Sequence, residues 1–206
     1  NEVLNCPSDL KDSSPGHDGL KPGIIKLCKV ELVYPLLHIF NLSLIEGCVP
    51  LSLKKAYTTP IFKAGDQTSF SNYRPISVLP VFAKVFERLM FNRIYAFLDN
   101  NNIFSDNQYG FRKRLSTEMA LIDAINYITA SLDQRSHTLG VFLDLSKAFD
   151  TVNHNILLSK LYHYGIRGNA QLWFKSYLTD RVQCVKYNDE LSAERAINIG
   201  VPQGSI

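Results

Sequence analysis

The chain has 206 residues, of which 46% are hydrophobic and 20% charged, with a formal net charge of +3. These values are ordinary for a globular protein of one large domain or two lobes. The most apolar long window, from Leu27 to Val49, contains several charged residues and Pro35, which excludes a membrane-spanning helix.

The cysteines are widely spaced and form no CxxC pair: Cys6, Cys28, Cys48 and Cys184. Such spacing is typical of reduced thiols in an intracellular protein. The first residues, Asn1 to Asp12, are polar and show no signal peptide. We therefore expect an intracellular protein, and the abrupt start and end of the chain suggest a fragment.

The first part of the chain predicts a turn followed by two helices. Ser14–Gly19 is rich in turn residues, and Asp18 is a candidate cap for the helix that follows. Apolar residues at helical spacing predict helices over Leu20–Lys29 and Val33–Glu46. Pro35 suits the first turn of the second helix, because that position needs no backbone N–H donor.

The middle of the chain predicts strands and then a long helix. Leu53–Lys63 is expected to be an edge strand, because Pro60 cannot donate to a central ladder. Ser71–Ser77 is expected to be extended and irregular, since Arg74 precedes a proline. An apolar stripe from Phe82 to Leu98 predicts a long amphipathic helix.

A loop rich in aromatic and basic residues, Gln108–Arg114, comes next, and Ser116 or Thr117 is expected to cap a further helix. Beyond residue 150 the periodicity predicts two more helices and a hairpin, in the order Ile156–Tyr164 closed by Gly165, Leu172–Leu178, and Val182–Tyr187 with Glu194–Ile199.

The stretch Leu139–Asp150 organises the functional hypothesis. Val141, Phe142 and Leu143 predict a strand buried on both faces, which ends at the carboxylate of Asp144. Burying an unpaired carboxylate is unfavourable, and ligands collect at strand ends in sheet-based enzymes. Asp144 is therefore a candidate catalytic or metal-binding residue. The alternative is that Asp144 caps the next helix.

Asp150 is a weaker candidate for a second metal ligand. Ser146–Phe149 is expected to form a tight turn or short helix, which places Asp150 near the start of the next helix. Capping that helix is its favoured role. One carboxylate alone does not make a two-metal site.

Cations recur in the irregular segments, where they suit phosphate groups, and the aromatic residues beside them suit stacked bases. The alternative is ordinary solvated surface charge. These cations are Lys54, Lys55, Lys63, Arg74, Arg112, Lys113 and Arg114. The residues alone predict a mixed α/β domain, either a phosphoryl-transfer enzyme or a nucleic-acid-binding module.

Several motifs, in order along the chain, resemble those of reverse transcriptases from non-LTR (LINE-like, jockey and CR1-type) retrotransposons. Phe142–Asp150 resembles the first catalytic motif of that family, and other blocks match before and after it. Those blocks are Pro15–Gly19, Asn72–Ser77, Gln108–Arg112 and Gly200–Ser205. The likeness extends over essentially the whole chain.

The resemblance implies an α+β fold of the right-hand polymerase type, with fingers and a partial palm but no thumb. Residues 1–136 would form an N-terminal extension and the fingers, and residues 137–166 the first part of the palm. Residues 167–200 would form a helix and hairpin between palm motifs, and residues 201–206 would begin the next palm element.

The resemblance also implies roles for individual residues. Asp144 and the backbone carbonyl of Leu145 would bind catalytic Mg²⁺. Nucleotide binding would fall to Lys63, Arg74, Phe149, Gln203 and Gly204. Among these, Phe149 would exclude a 2′-hydroxyl, although a plain core phenylalanine is the alternative. Nucleic-acid contacts would come from Tyr109, Arg112, Lys113 and Arg114.

The expected partners are an RNA template, a DNA primer and deoxynucleoside triphosphates, in a ribonucleoprotein of the cytoplasm and nucleus, with no membrane association. The family's motif of an aromatic followed by paired aspartates is absent from these residues. We expect it beyond Ile206, so that this fragment alone would be inactive and poorly stable. The alternative is a catalytically inactive remnant that binds RNA or a partner protein.

Overall fold

The computed structural model of the chain describes residues 2–5, 10–188 and 190–204. Cys6, Asp189 in the predicted hairpin turn, Ser205 and Ile206 lie outside these ranges. The helices are α1 (Glu2–Asn5), α2 (Pro22–Leu27), α3 (Lys29–Glu46), α4 (Val81–Asn100), α5 (Thr117–Asp133), α6 (His154–His163) and α7 (Gly168–Leu178). The strands are β1 (Lys55–Phe62), β2 (Tyr73–Val78), β3 (Arg181–Tyr187), β4 (Glu190–Leu191) and β5 (Arg195–Ile197).

The chain divides into two compact units. The larger unit comprises residues 1–95 and 147–206, and the smaller comprises residues 96–146. The larger unit therefore joins segments that are distant in sequence. It contains all five described strands, so the chain is a mixed α/β protein as expected.

The sheet has the order β2–β1–β3–β4, and β5 also pairs with β3. Strand β1 runs antiparallel to β2 along most of its length, but its parallel pairing with β3 covers only residues 55–58. The edge-strand prediction is therefore wrong for the first half of β1 and correct for the half that carries Pro60. Residues 73–78 are also more regular than predicted, because β2 pairs in continuous register with β1.

The register explains why two prolines are tolerated in this hairpin. Pro60 lies directly opposite Pro75. The N–H of Lys63 donates to the carbonyl of Asn72 at 2.9 Å, so the backbone N–H and C=O groups of the odd-numbered residues of β1 point toward β2. The backbone nitrogen of Pro60 therefore points away from β2. On that side β1 no longer pairs with β3, so the missing N–H of Pro60 removes no hydrogen bond from the sheet.

The core of the larger unit is helical and aromatic. Trp173 is 2% exposed, and its indole N–H donates to Ser43 Oγ at 3.1 Å. Its ring packs edge-on against Phe86, with centroids 5.1 Å apart, and Phe86 stacks on Phe40 at 4.2 Å. Each such ring pair adds about 0.5–1.5 kcal/mol beyond the area it buries. These contacts hold α3, α4 and α7 together.

The predicted helices are present, with shifted starts. α3 begins at Lys29, so Pro35 lies inside the helix and not in its first turn. Asp18 accepts a hydrogen bond from Leu20 N–H at 3.2 Å and does not cap α2. Ser116 caps α5 as predicted, accepting from Met119 N–H at 3.3 Å. No helix among the described residues is long and apolar enough to cross a membrane.

The strand predicted over Val141–Leu143 is not formed. Val141, Phe142 and Leu143 are 73%, 97% and 89% exposed, and the segment has no regular secondary structure. Apolar side chains favour a buried strand, but a strand also needs a neighbour to accept and donate its backbone hydrogen bonds. None of the described strands pairs with this segment.

Candidate active site

The β1–β2 hairpin places two predicted phosphate-binding cations on one face. Arg74 lies opposite Ile61 in the ladder, and Lys63 follows two residues after Ile61. Side chains alternate between faces along a strand and directly opposed residues share a face, so Lys63 and Arg74 project from the same side. Both are exposed, and neither forms an ion pair within the described residues. This face can therefore offer two cations to an anionic ligand.

The turn of residues 200–204 packs on the same face. Ile76 is two residues beyond Arg74, and a Cβ added to Gly204 would lie 3.0 Å from Ile76 Cγ2. Gly204 has φ of +88°, a conformation that favours glycine. The N–H of Ser77 donates to the carbonyl of Gln203 at 2.7 Å. The sequence block around Gln203 is thereby fixed beside the block that contains Arg74.

The other side of this turn is bonded to the turn that follows Lys147. Gln203 Nε2 donates to Asp150 Oδ1 at 2.9 Å, and Val201 N–H donates to the Phe149 carbonyl at 2.8 Å. A Cβ on Gly200 would lie only 2.8 Å from the Asp150 carbonyl oxygen. We call these contacts, together with the Ser77–Gln203 bond, the clasp. It joins three blocks that are far apart in sequence.

Asp150 is part of the clasp and not a helix cap. The tight turn is confirmed, since Asp150 N–H donates to the Lys147 carbonyl at 2.9 Å. The cap of α6 is Asn153, whose side chain accepts from Asn155 N–H at 3.0 Å and Ile156 N–H at 3.1 Å. The prediction that Asp150 caps the helix is therefore wrong, because Asn153 lies directly at the first turn and Asp150 does not.

Phe149 lies beside the clasp with 46% of its surface exposed. Its backbone carbonyl accepts a hydrogen bond from Val201 N–H, which fixes the position of the Phe149 backbone. A core phenylalanine would be almost fully buried, as Phe40 and Phe86 are at 2% exposure. The half-exposed ring of Phe149 fits the core alternative poorly and presents part of its surface to solvent.

Asp144 belongs to the smaller unit, where it is exposed at the end of the irregular apolar segment. It makes no hydrogen bond or ion pair with another described residue, and it caps no helix, since the cap of α6 is Asn153. The next residue, Leu145, is 78% exposed. An unpaired carboxylate and a nearby carbonyl are hard oxygen donors of the kind that Mg²⁺ prefers.

The donors are suitable in kind but few in number. Across the described ranges, no group of three His, Cys, Asp or Glu side chains is close enough to hold a metal ion. Mg²⁺ in phosphoryl-transfer sites is held by one or two carboxylates together with substrate phosphates and water. Asp144 and Leu145 could therefore supply part of such a site.

The loop of residues 108–114 also belongs to the smaller unit, and part of its polar surface stabilises the loop itself. Tyr109 donates to Asp123 Oδ2, and this hydrogen bond raises the pKa of Tyr109. Arg112 donates to the Ser105 carbonyl at 2.9 Å and lies over the ring of Phe104 at 5.2 Å. Lys113 and Arg114 are exposed, which leaves their side chains at the surface of the loop.

Two cations proposed for phosphate are used internally. Lys54 is 3% exposed and donates to Ser176 Oγ at 3.2 Å, and burial lowers its pKa. Lys55 forms an ion pair with Glu194, whose hydrogen bond raises the pKa of Lys55. The suggestion that Lys54 and Lys55 bind phosphate is therefore not supported, because Lys54 is buried and Lys55 is already paired with Glu194.

His154 also stabilises the clasp, although it was not among the candidate residues predicted from the sequence. Its Nε2–H donates to the Gly200 carbonyl at 2.7 Å. The N–H of Gly200 in turn donates to the Val152 carbonyl at 2.8 Å. These partners are far apart along the chain, so no local pattern could have revealed the contact.

Comparisons with known proteins identify the family of this chain. Residues 61–206 match the family model described as reverse transcriptase (RNA-dependent DNA polymerase). That match includes Lys63, Arg74, Asp144 and the clasp.

Curated relatives match over nearly the whole chain. The chain is 34% identical, over its full length, to the RNA-directed DNA polymerase from mobile element jockey of Drosophila melanogaster. It is 33% identical to the jockey polymerase of Drosophila funebris, again over its full length. It is 28% identical over 98% of its length to a Pol polyprotein from type-1 retrotransposable element R2 of Popillia japonica.

The chain spans 22% of each jockey polymerase and 28% of the R2 polyprotein. The family match and the ordered motifs lead to the same conclusion. This chain belongs to the reverse transcriptase (RNA-dependent DNA polymerase) family, among sequences of non-LTR retrotransposons.

Proposed function

We propose that this chain is the nucleotide-binding portion of an RNA-directed DNA polymerase that copies retrotransposon RNA into DNA. The observation that carries the proposal is the clasp. It assembles, within one compact unit, the blocks that contain Arg74, Phe149 and Gln203. A nucleotide site needs cations, a surface for the sugar and backbone polar groups close together, and these residues provide each.

In this proposal, Lys63 and Arg74 bind the triphosphate of the incoming nucleotide. Arg74 offers a planar fork to two phosphate oxygens, whereas Lys63 acts as a point charge. Phe149 lies under the sugar and excludes the 2′-hydroxyl of a ribonucleotide. Gln203 and Gly204 contact the nucleotide and the nearby template, in positions fixed by the bonds to Ser77 and Asp150.

Reverse transcriptases use divalent metal ions. Asp144 and the Leu145 carbonyl would hold Mg²⁺, which when bound neutralises phosphate charge and activates the primer hydroxyl. Asp144 is suited to this role because its carboxylate is exposed and has no partner among the described residues. The remaining ligands of a two-metal site would come from the substrate and from other parts of the polymerase.

The proposed partners are an RNA template, a DNA primer and deoxynucleoside triphosphates. Lys113 and Arg114 would contact the phosphate backbone of nucleic acid. Tyr109 and Arg112, which hydrogen bonds to Asp123 and Ser105 hold within the loop, would contribute to the same surface. The proposed setting is a ribonucleoprotein in the cytoplasm and nucleus.

Nucleotide binding by the 206-residue chain tests the proposal directly. A fluorescent deoxynucleoside triphosphate would be titrated with the chain and its Arg74→Ala variant, in the presence of Mg²⁺. Removing a bidentate arginine–phosphate interaction should weaken binding by roughly tenfold or more, since charge-assisted hydrogen bonds contribute about 1.5–3 kcal/mol. Arg195→Ala is the matched control, because Arg195 is also an exposed arginine on a strand of the same sheet.

Equal effects of the two variants would refute the assignment of Arg74. Activity needs a longer polymerase that contains these residues, assayed by primer extension on an RNA template. Product formation supports the enzyme. RNA binding without any product, in a chain that binds no nucleotide, would instead support the inactive RNA-binding remnant.

A further inference from the structure

Helix α6 presents two faces of different character. Leu157, Leu158 and Leu161 are partly buried on the side that packs with α7. The opposite side is an open, shallow groove that we call the α6 face. It is lined by Asn155, Ile156, Ser159, Lys160, His163 and Tyr164. These residues follow helical spacing, so they form one continuous surface.

The charge of this region has one sign. Residues 151–179 contain no Asp or Glu but include Lys160, Arg167 and Lys175. Lys160 and Arg167 are exposed, and neither forms an ion pair within the described part of the chain. A segment that carries cations and no carboxylate of its own has a net positive charge, which attracts a polyanion.

Aromatic rings flank the cations. The guanidinium carbon of Arg167 lies 4.8 Å from the centre of the Tyr162 ring, a stacked cation–π contact. Tyr162 and Tyr164 are 45% and 50% exposed. Exposed rings beside cations can stack unpaired bases while the cations contact phosphates, which is how single strands are bound.

We propose that the α6 face, with Tyr162 and Arg167 at its border, binds single-stranded RNA. Lys160 and Arg167 contact phosphates, Tyr162 and Tyr164 stack bases, and Asn155 and Ser159 offer hydrogen bonds to bases or 2′-hydroxyls. A protein partner fits less well, because Ile156 is the one large aliphatic side chain among the lining residues. A base-paired duplex fits less well because its stacked bases cannot reach the rings.

The inference rests on the proposed function, since an enzyme that copies RNA must hold a single strand. Its test is independent, because it measures RNA binding without nucleotide or polymerisation. A labelled RNA of about 16 nucleotides without secondary structure would be titrated with the 206-residue chain by fluorescence anisotropy at several salt concentrations. The variants are Lys160→Ala with Arg167→Ala, and separately Tyr164→Ala. Lys11→Ala with Lys21→Ala is the control that removes the same charge elsewhere.

The double variant on the α6 face should weaken RNA binding at least tenfold. It should also reduce the magnitude of the slope of log K against log salt concentration by about 1.4, which is about 0.7 for each phosphate that the variant no longer neutralises. Tyr164→Ala should weaken binding roughly tenfold without changing the salt dependence, since stacking contributes about 1–3 kcal/mol per base. Equal weakening by the control would mean unspecific attraction and overturn the proposal, as would unchanged binding by both α6-face variants.

Crosslinking provides the same test without any substitution. RNA that carries 4-thiouridine would be irradiated on the unmodified chain, and the crosslinked peptides would be mapped. Crosslinks within residues 154–167 are expected. Crosslinks confined to residues 108–114 would overturn the proposal while leaving the proposed polymerase function intact.

Discussion

The clasp includes one hydrogen bond between two side chains, from Gln203 Nε2 to Asp150 Oδ1 at 2.9 Å. Hydrogen bonds to a charged group contribute about 1.5–3 kcal/mol, and the low end applies because Asp150 is only half-buried. Asp150→Ala should therefore lower the free energy of unfolding by about 1.5 kcal/mol, or lower Tm by about 3–6 °C. Asp150→Asn keeps the acceptor oxygen and should be less destabilising.

Denaturant unfolding of Asp150→Ala, Gln203→Ala and the double variant would isolate the contact as a coupling energy. Distant residues are additive to within about 0.5 kcal/mol, so a coupling energy below that value would refute this account of the clasp. Asp106→Ala removes an exposed carboxylate in the other unit and should leave stability unchanged. Asp150→Ala should also weaken deoxynucleotide binding, because Gln203 loses its anchor.

Other substitutions test separate parts of the proposal. Asp144→Asn, in a longer polymerase that contains this chain, should abolish primer extension while leaving RNA binding largely intact, and extension at the wild-type rate would exclude Asp144 from catalysis. Phe149→Val should admit ribonucleotides in the same assay, and unchanged sugar discrimination would assign Phe149 a packing role. Gly200→Ala should destabilise the chain by about 1–3 kcal/mol, because its Cβ would meet the Asp150 carbonyl at 2.8 Å and its φ is +85°. Gly23→Ala, where a Cβ meets nothing within 4 Å, is the matched control in thermal unfolding and should be neutral or slightly stabilising.

The helices could be predicted from sequence because their signals are local. The apolar stripe of Phe82–Leu98 corresponds to α4, and Ser116 caps α5 by reaching a backbone N–H three residues away. Pro35 misled the prediction of α3, since packing of Leu36 and Phe40 in the core sustains the helix around it. Tertiary contacts here outweigh the local preference of one residue.

The candidate site was only partly predictable. Motif resemblance selected Arg74, Phe149 and Gln203 but could not state how they meet. The contacts of Asp150 with Gln203 and of His154 with Gly200 join residues 53 and 46 positions apart, and hydrophobic periodicity carries no information at that range. The strand at Val141–Leu143 failed for a related reason, since its apolar pattern says nothing about which neighbour would complete its backbone hydrogen bonds.

The paired prolines of the β1–β2 hairpin have a consequence for how this surface meets other molecules. Three residues of β2 point their backbone nitrogen to its outer edge. Tyr73 N–H donates to the Phe70 carbonyl, Ser77 N–H donates to the Gln203 carbonyl, and Pro75 has no N–H. Along the outer half of β1, Pro60 removes a donor just beyond Thr58, where the pairing of β1 with β3 ends.

An incoming strand therefore finds no free donor at these three residues on the outer edge of β2, and no donor at Pro60 of β1, although Ile61 and Phe62 are 48% and 39% exposed. Open edges that carry apolar side chains ordinarily recruit other chains and aggregate. The hairpin can thus keep Lys63 and Arg74 on an exposed, partly apolar surface that stays open to a small charged ligand while offering few donors to an added strand.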